Sequence, residues 1–290
     1  MSVPAAGVRA LLASATERLA TAGVPSAGTD AQLLLAHAWG VSVGELQRRQ
    51  LLGEAPSAEV EGRFTDLVDE RMTRVPLQHL IGSAPFRGIE LHVGPGVFIP
   101  RPETELLVDL VLAELGGRPG AQVVDLCTGS GAIALALKHE SPSLSVTAVE
   151  LDPLAHAWAA RNAQLLGLDV EILQGPAESA LPGREGRLDV VVSNPPYIPV
   201  GMVPIDPEVR DHDPEVALYG GSDDGLRIPL AVARRAHDLL RPGGLLVMEH
   251  ADSQGDSLPN ALTRAGWSDV ADHQDLAGRP RAVTATKLIE

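Results

Sequence analysis

The chain has 290 residues, 44% of them hydrophobic and 21% charged, the balance of a folded globular protein with one large and one small domain or two medium ones. Its single cysteine, Cys127, excludes an intramolecular disulfide and a cysteine-built zinc site. The formal net charge of −15 is uneven: residues 1–88 hold 8 basic and 9 acidic residues, whereas residues 89–290 hold 15 and 29, a net of −14. That second part repels a long polyanion, so direct nucleic-acid binding is not expected.

The opening MSVPAAGVRA lacks the basic start and apolar run of a signal peptide, and no apolar stretch has the length of a membrane span. A cytoplasmic protein without membrane contact is expected. Residues 1–75 read as a small helical domain suited to docking a substrate. Val8, Leu11, Leu12, Ala15 and Leu19 recur at helical spacing, and Gly23-Val24-Pro25 ends that run. Ser26 or Thr29 is positioned to cap a second helix that closes at Gly40, and further helices are expected over 43–50 and 56–72. Residues 76–103 partly alternate around Gly88 and read as a β-hairpin linker ending in a proline-framed loop.

From residue 104 to 290 the rhythm is strand alternating with helix. Helices are expected over 103–115, 132–139, 153–166, 226–240 and 257–265. Strands are expected over 122–126, 145–149, 170–174, 188–193 and 244–249, with two more near 267–274 and 282–288. This is an α/β pattern: seven strands in a mostly parallel sheet covered on both faces.

Three motifs lie at successive expected strand ends. The first is D-L-C-T-G-S-G at 125–131, where a strand passes into a helix. Gly129 and Gly131 permit a tight turn and close ligand approach, and the helix start offers free N–H groups to an anionic group. The spacing D-x-x-x-G-x-G is that of S-adenosylmethionine sites rather than of the dinucleotide fingerprint. Asp125, Cys127, Thr128, Gly129, Ser130 and Gly131 are therefore candidate cofactor contacts. The second is Glu150, an acid about twenty residues further on, where a carboxylate takes nucleoside ribose hydroxyls. Asp152 stands beside it as the runner-up, and its place before Pro153 suits a helix cap better.

The third and most specific is Asn194-Pro195-Pro196-Tyr197, directly after an apolar strand. The Asn194 side-chain oxygen and the Pro195 carbonyl can each accept one N–H of a substrate amide or amine, and Tyr197 can pack on its planar group. Asn194 is also a candidate cofactor contact.

With these motifs the chain resembles the HemK/PrmC family of release-factor glutamine methyltransferases over nearly its whole length. The resemblance rests on P-L-Q-H-L-I-G at 76–82, I-P-R-P-E-T-E at 99–105, 125–131, 194–197, R-P-G-G at 241–244 and D-L-A-G-R at 275–279. It implies a Rossmann-like class I methyltransferase sheet with a helical N-terminal domain. It further implies transfer of methyl from S-adenosylmethionine, leaving S-adenosylhomocysteine, to the glutamine of the Gly-Gly-Gln loop of class I release factors. Asn194, Pro195, Pro196 and Tyr197 would hold that glutamine, and a monomer is expected. Apart from the resemblance, Arg101 and Glu103 either line the cleft, Arg101 then meeting the substrate, or form a surface ion pair at a helix start. The chain departs from the family at Cys127 and Glu150, where glycine and aspartate are common, and at Pro176-Ala177, where many members carry an acidic–aromatic pair beside the adenine. The competing reading is an adenine-N6 nucleic-acid methyltransferase, which uses the same four-residue motif on a flipped base. The scattered histidines show no close ligand pair, so no metal site is expected.

Overall fold

The computed structural model describes residues 7–289. In chain order its first elements are α1 (Val8–Thr21), α2 (Ala27–Trp39), α3 (Val43–Leu51), α4 (Ala58–Met72), α5 (Leu77–Ile81), β1 (Ser83–Phe86), β2 (Ile89–His92), α6 (Glu105–Leu115), β3 (Gln122–Leu126), α7 (Ala132–Glu140) and β4 (Ser145–Glu150). Then come α8 (Pro153–Leu166), β5 (Glu171–Gln174), β6 (Leu188–Ser193), α9 (Pro207–His212), α10 (Glu215–Leu218), α11 (Arg227–Leu239), β7 (Leu240–Glu249), α12 (Ser257–Arg264), β8 (Ser268–Gln274) and β9 (Pro280–Thr286). The chain forms two compact units. One runs to Ser83 and also takes in Pro204–His212; the other comprises Ala84–Val203 and the chain from Asp213 onward.

In the helical unit, α1–α4 bury Leu19, Leu34, Leu35, Leu46, Phe64 and Val68 in one core. Serine hydroxyls cap α3 and α4, Ser42 accepting from the Glu45 N–H and Ser57 from the Val60 N–H. Gly40, at φ 66°, closes α2 in the left-handed conformation. Ser26 occupies the start of α2 but makes no capping bond, and Thr29 lies inside the helix, so neither caps it as expected. A further correction concerns 77–81, expected in the hairpin linker: it is helix α5, closed by Gly82 at φ 76°.

An ion cluster in this unit joins distant parts of the sequence. Arg71, with only 4% of its side chain exposed, donates to Asp30 at 2.8 Å and to Glu208 of α9 at 2.7 Å. Arg74 adds bonds to Glu208 and Asp206.

The second unit is built on a seven-stranded sheet of order β5-β4-β3-β6-β7-β9-β8. β5, β4, β3, β6 and β7 pair in parallel, and β9 runs antiparallel to both β7 and β8. Because strand side chains alternate, neighbouring residues feed opposite cores. Val123, Val190, Val192 and Val247 pack beneath Leu107 and Val111 of α6 and Leu135 and Leu137 of α7. Val124, Val191, Leu246 and Met248 pack against Ala236 and Leu239 of α11 and Leu258 and Leu262 of α12. Burying each Val or Leu side chain contributes about 1.5–3 kcal/mol, so the central strands are held from both faces.

β7 begins four residues earlier than the expected 244, taking in Arg241-Pro242-Gly243-Gly244. Its register against β6 shifts between the pairs Leu188–Leu240 and Val190–Leu245, which accommodates those turn-forming residues as an irregularity in the strand. After β3 the chain winds outward through β4 and β5, and then returns to place β6 on the other side of β3. Open α/β sheets bind ligands at such a reversal, beyond the carboxyl ends of the strands.

Candidate active site

The glycine loop leaves β3 at this reversal and enters α7. Asp125 is fully buried at the end of the strand. Its Oδ2 accepts from the Thr128 hydroxyl at 2.5 Å and from the Ala134 N–H at 3.2 Å, whereas its buried Oδ1 has no hydrogen-bond partner among the described residues. Burial pushes its carboxyl up to about 7, against the pull of those two bonds. Glu150, at the end of β4, closes the loop from the other side. One carboxylate oxygen accepts from the Gly129 N–H at 2.7 Å and the other from the Asp152 N–H at 2.9 Å. Its carboxyl too is raised by burial. Asp152 caps α8, accepting from the Leu154 and Ala155 N–H groups.

The two glycines have different reasons to be there. A Cβ on Gly129 (φ +58°) would meet nothing within 4 Å, so the loop has open space on that side. One on Gly131 (φ +87°) would lie 2.9 Å from Leu135 Cδ1 and 3.4 Å from Ala159 Cβ. Gly131 thus meets a packing constraint inside the unit that Gly129 does not. Cys127 adopts φ +65°, a left-handed conformation in which a residue without a Cβ is least strained. Its side chain packs against the core that contains Leu126 and Val149, and burial first, then the nearby Glu150 charge, raises its thiol far above the ordinary range. The sulfur therefore stays protonated, and Cys127 is a packing group rather than a nucleophile.

The glycine loop has a brace that none of the motifs announced. The side chain of Asn162, 1% exposed on α8, accepts from the His92 N–H and donates to the carbonyls of His92 and Ser130. A buried asparagine within a helix was the available signal, since asparagine is a weak helix former.

The Asn194–Tyr197 loop leaves β6, the strand next to β3. Ser193 Oγ donates to the Leu126 carbonyl at 2.6 Å and ties the two strand ends together. Pro195 and Pro196 are buried, while Asn194 and Tyr197 are half-buried. Asn194 Nδ2 donates to Thr104 Oγ1 at 3.3 Å, and no hydrogen bond to its Oδ1 forms among the described residues. The Thr104 hydroxyl in turn donates to Glu249 Oε2 at 2.7 Å, and the Tyr197 hydroxyl donates to Glu249 Oε1 at 3.2 Å. Glu249, 2% exposed, ends β7, and burial pushes its carboxyl up to about 7. Thr104 and Glu249 did not emerge from the motif reading, because they lie 90 and 52 residues from their partners in the loop.

The main chain of the loop is held as tightly. Gln254 Nε2 donates to the carbonyls of Tyr197 and Asp224. Gly225 passes so close to Tyr197 that a Cβ would lie 2.1 Å from its carbonyl oxygen. Arg101 pairs with Asp213 at 2.9 Å and lies over the Phe98 ring, so its guanidinium is already engaged within the unit. Glu103 pairs with Arg279 instead of Arg101. His250 is buried at the end of β7 and donates from Nδ1 to the Ala251 carbonyl at 2.8 Å, while its Nε2 lies 2.9 Å from Asp272 without a hydrogen bond among the described residues.

Residues 10–82 match the PrmC N-terminal domain, and residues 89–202 match the methyltransferase small domain. A release factor glutamine methyltransferase of Streptomyces coelicolor is 49% identical over 282 residues, covering 96% of this chain and 97% of its own length. The chain belongs to the release factor glutamine methyltransferase family. Proteins of the same name from Mycolicibacterium smegmatis and Deinococcus radiodurans are 45% and 42% identical, and in each case 97% of this chain and 98% of the relative are covered. Among solved structures, a methyltransferase from Pyrococcus furiosus aligns with a TM-score of 0.53 at 21% identity, over 76% of this chain and all of that one. The T. thermophilus 16S rRNA N2 G1207 methyltransferase, solved with AdoMet and guanosine, aligns with a TM-score of 0.51 at 25% identity, over 71% of this chain and 49% of that one. The expected Rossmann-like class I methyltransferase sheet is the fold observed.

Proposed function

We propose that this chain transfers the methyl group of S-adenosylmethionine to the side-chain amide nitrogen of the glutamine in the Gly-Gly-Gln loop of class I release factors, and that Asn194 and Pro195 hold that amide. Family membership over nearly the full length supports the reaction. One observation supports the residue roles: the Asn194 amide nitrogen is committed to Thr104, which leaves its oxygen and the neighbouring Pro195 carbonyl as acceptors at the mouth of the sheet reversal.

The residues of the glycine loop fit the cofactor. Gly129 borders open space, the α7 start lies beside it, and Asp125 Oδ1 is a buried acceptor lacking a donor, as the ammonium of a bound amino acid moiety requires. Glu150 stands at the next strand end, where its carboxylate would meet the ribose. Thr128 and Ser130 shape the loop through Asp125 and Asn162. When bound, S-adenosylmethionine supplies an electrophilic methyl on a sulfonium whose departure needs no acid.

An amide nitrogen is a poor nucleophile because its lone pair is delocalised into the carbonyl. Two carbonyl acceptors, Asn194 Oδ1 and Pro195 O, gripping both N–H bonds would aim that nitrogen and stabilise the positive charge that grows on it. The consecutive prolines keep this backbone from rearranging. Tyr197, tethered by its hydroxyl to Glu249, would pack its ring on the planar amide. The helical unit, without a chemistry-bearing constellation, is assigned to docking the release factor.

The test is methyl transfer from labelled S-adenosylmethionine to a purified bacterial release factor, beside a version with Gly-Gly-Ala in place of Gly-Gly-Gln. Label on the first alone is expected. Label on DNA or RNA instead would overturn the reading. Asn194→Ala should lower kcat by about 10²–10³ while leaving cofactor affinity within a few-fold, and a variant with near-normal kcat would remove Asn194 from its role.

A further inference from the structure

The two ends of an asparagine amide have nearly the same shape and opposite hydrogen-bonding character. Only one orientation of Asn194 offers an oxygen to a substrate N–H; the flipped one sets its own N–H bonds against those of the substrate. Something in the protein must select between them. Thr104, 4% exposed, receives the Asn194 nitrogen, yet a threonine hydroxyl can donate as well as accept and by itself selects neither. The choice is made one bond further on. Glu249, accepting from Thr104 at 2.7 Å, takes the only hydroxyl proton and leaves Thr104 with lone pairs alone to offer Asn194.

We propose that Glu249, acting through the Thr104 hydroxyl, is a positioning residue that fixes the orientation of the Asn194 amide and so the polarity of the substrate site. This rests on the role given to Asn194 above. Three segments distant in sequence meet to build it: the turn that opens α6, the loop after β6 and the end of β7. The second Glu249 oxygen binds the Tyr197 hydroxyl, so the same carboxylate sets both ends of the tetrad.

The device works only while Glu249 is ionised. Once protonated, it can donate to Thr104, whose own proton then turns toward Asn194 and favours the flipped amide. The groups that face Glu249 are Thr104, Tyr197, Arg281, which favours the charged form, and Glu103, which opposes it. Burial outweighs Arg281 and places the titration near neutrality, about 7. The activity should therefore carry an acid limb in kcat that belongs to Glu249.

The experiment compares wild type, Thr104→Val, Thr104→Ser and Glu249→Gln at saturating cofactor and varied release factor, across pH 5.5–9, with the S-adenosylmethionine Kd taken as the check on folding. Thr104→Val should lose about tenfold or more in kcat with little change in KM or cofactor Kd, and Thr104→Ser should regain most of it. Glu249→Gln should show reduced kcat and no acid limb. Thr104→Val at wild-type kcat, Thr104→Ser as impaired as Thr104→Val, or an acid limb retained in Glu249→Gln would each overturn the proposal. If Glu249→Gln fails to fold, the valine–serine pair decides alone. Absence of transfer to the release factor by the wild type would refute the function instead, so the two failures are distinct.

Discussion

Replacing Gly131 and Gly129 separately by alanine should divide stability from ligand binding within one seven-residue loop. Gly131 sits at φ +87°, and the new methyl would lie 2.9 Å from Leu135 Cδ1 and 3.4 Å from Ala159 Cβ, both fully buried and unable to swing into solvent. The left-handed backbone costs an L-residue about 1–2 kcal/mol, and overpacking a closed core adds about 1–3 kcal/mol. The loss of about 2–5 kcal/mol corresponds, at about 2–4 °C per kcal/mol for a unit of this size, to a fall in Tm of about 4–20 °C. Gly129→Ala carries only the backbone cost of about 1–2 kcal/mol, because nothing lies within 4 Å of its methyl. That methyl instead enters the space assigned to the cofactor, so S-adenosylmethionine affinity should fall by about tenfold or more, a loss of about 1.4 kcal/mol. Thermal unfolding without ligand and calorimetric titration with S-adenosylmethionine measure the two effects. Equal Tm values for Gly131→Ala and wild type, or a Gly129→Ala variant that binds the cofactor normally, would refute the division.

Removing one member of the buried ion cluster should be costly: Asp30→Asn leaves Arg71 short of a charge partner in the helical core and should destabilise that unit by about 3 kcal/mol, read as a lower denaturant midpoint. Asp125, raised in the fold to about 7 from an ordinary 3.8, favours the folded state most below the unfolded value, and that contribution is lost as pH rises from about 4 through 7. Asp125→Asn can keep the bonds from Thr128 and Ala134 and should flatten this decline; an unchanged difference in stability between pH 4 and pH 8 would refute it. Cys127→Gly exchanges relief of the φ +65° backbone, about 1–2 kcal/mol, for a comparable loss of side-chain packing, and should leave Tm within a few degrees and cofactor affinity intact.

What the sequence conveys depends on how local the cause is. The strands at 122–126 and 188–193 were legible because a strand buried on both faces is a continuous apolar run, and their order with the intervening helices gave the sheet. The loop at 194–197 was legible because consecutive prolines after a strand have few other uses. Helix α5 was not, since five residues cannot display a helical period, and Gly82 reads equally well as a hairpin signal. The start of β7 was hidden because Arg-Pro-Gly-Gly is turn chemistry that this strand absorbs as an irregularity. Thr104, Glu249, Asn162 and Gln254 are ordinary polar residues until the fold removes water from them. Their partners lie 90, 145, 70 and 57 residues away, and no spacing rule reaches that far. Cys127 is the instructive middle case: the resemblance marked it as a departure from glycine, but its left-handed backbone at φ +65° became visible only in the structure.

The attachment of 204–212 to the helical unit bears on how the two units can be divided. Cutting the chain after Ser83 also separates 204–212 from the helices it groups with. It strands Asp206 and Glu208, and with them α9, away from Arg71 and Arg74, leaving two carboxylates on a loop that begins a few residues after Tyr197. A fragment starting at Ala84 would keep every residue of the tetrad and the glycine loop and still have lost the anchor of the segment that follows them. The chain of the second unit thus returns to the helical unit midway, and an exchange of the helices between relatives keeps the Arg71 and Arg74 pairs only if 204–212 travels with them.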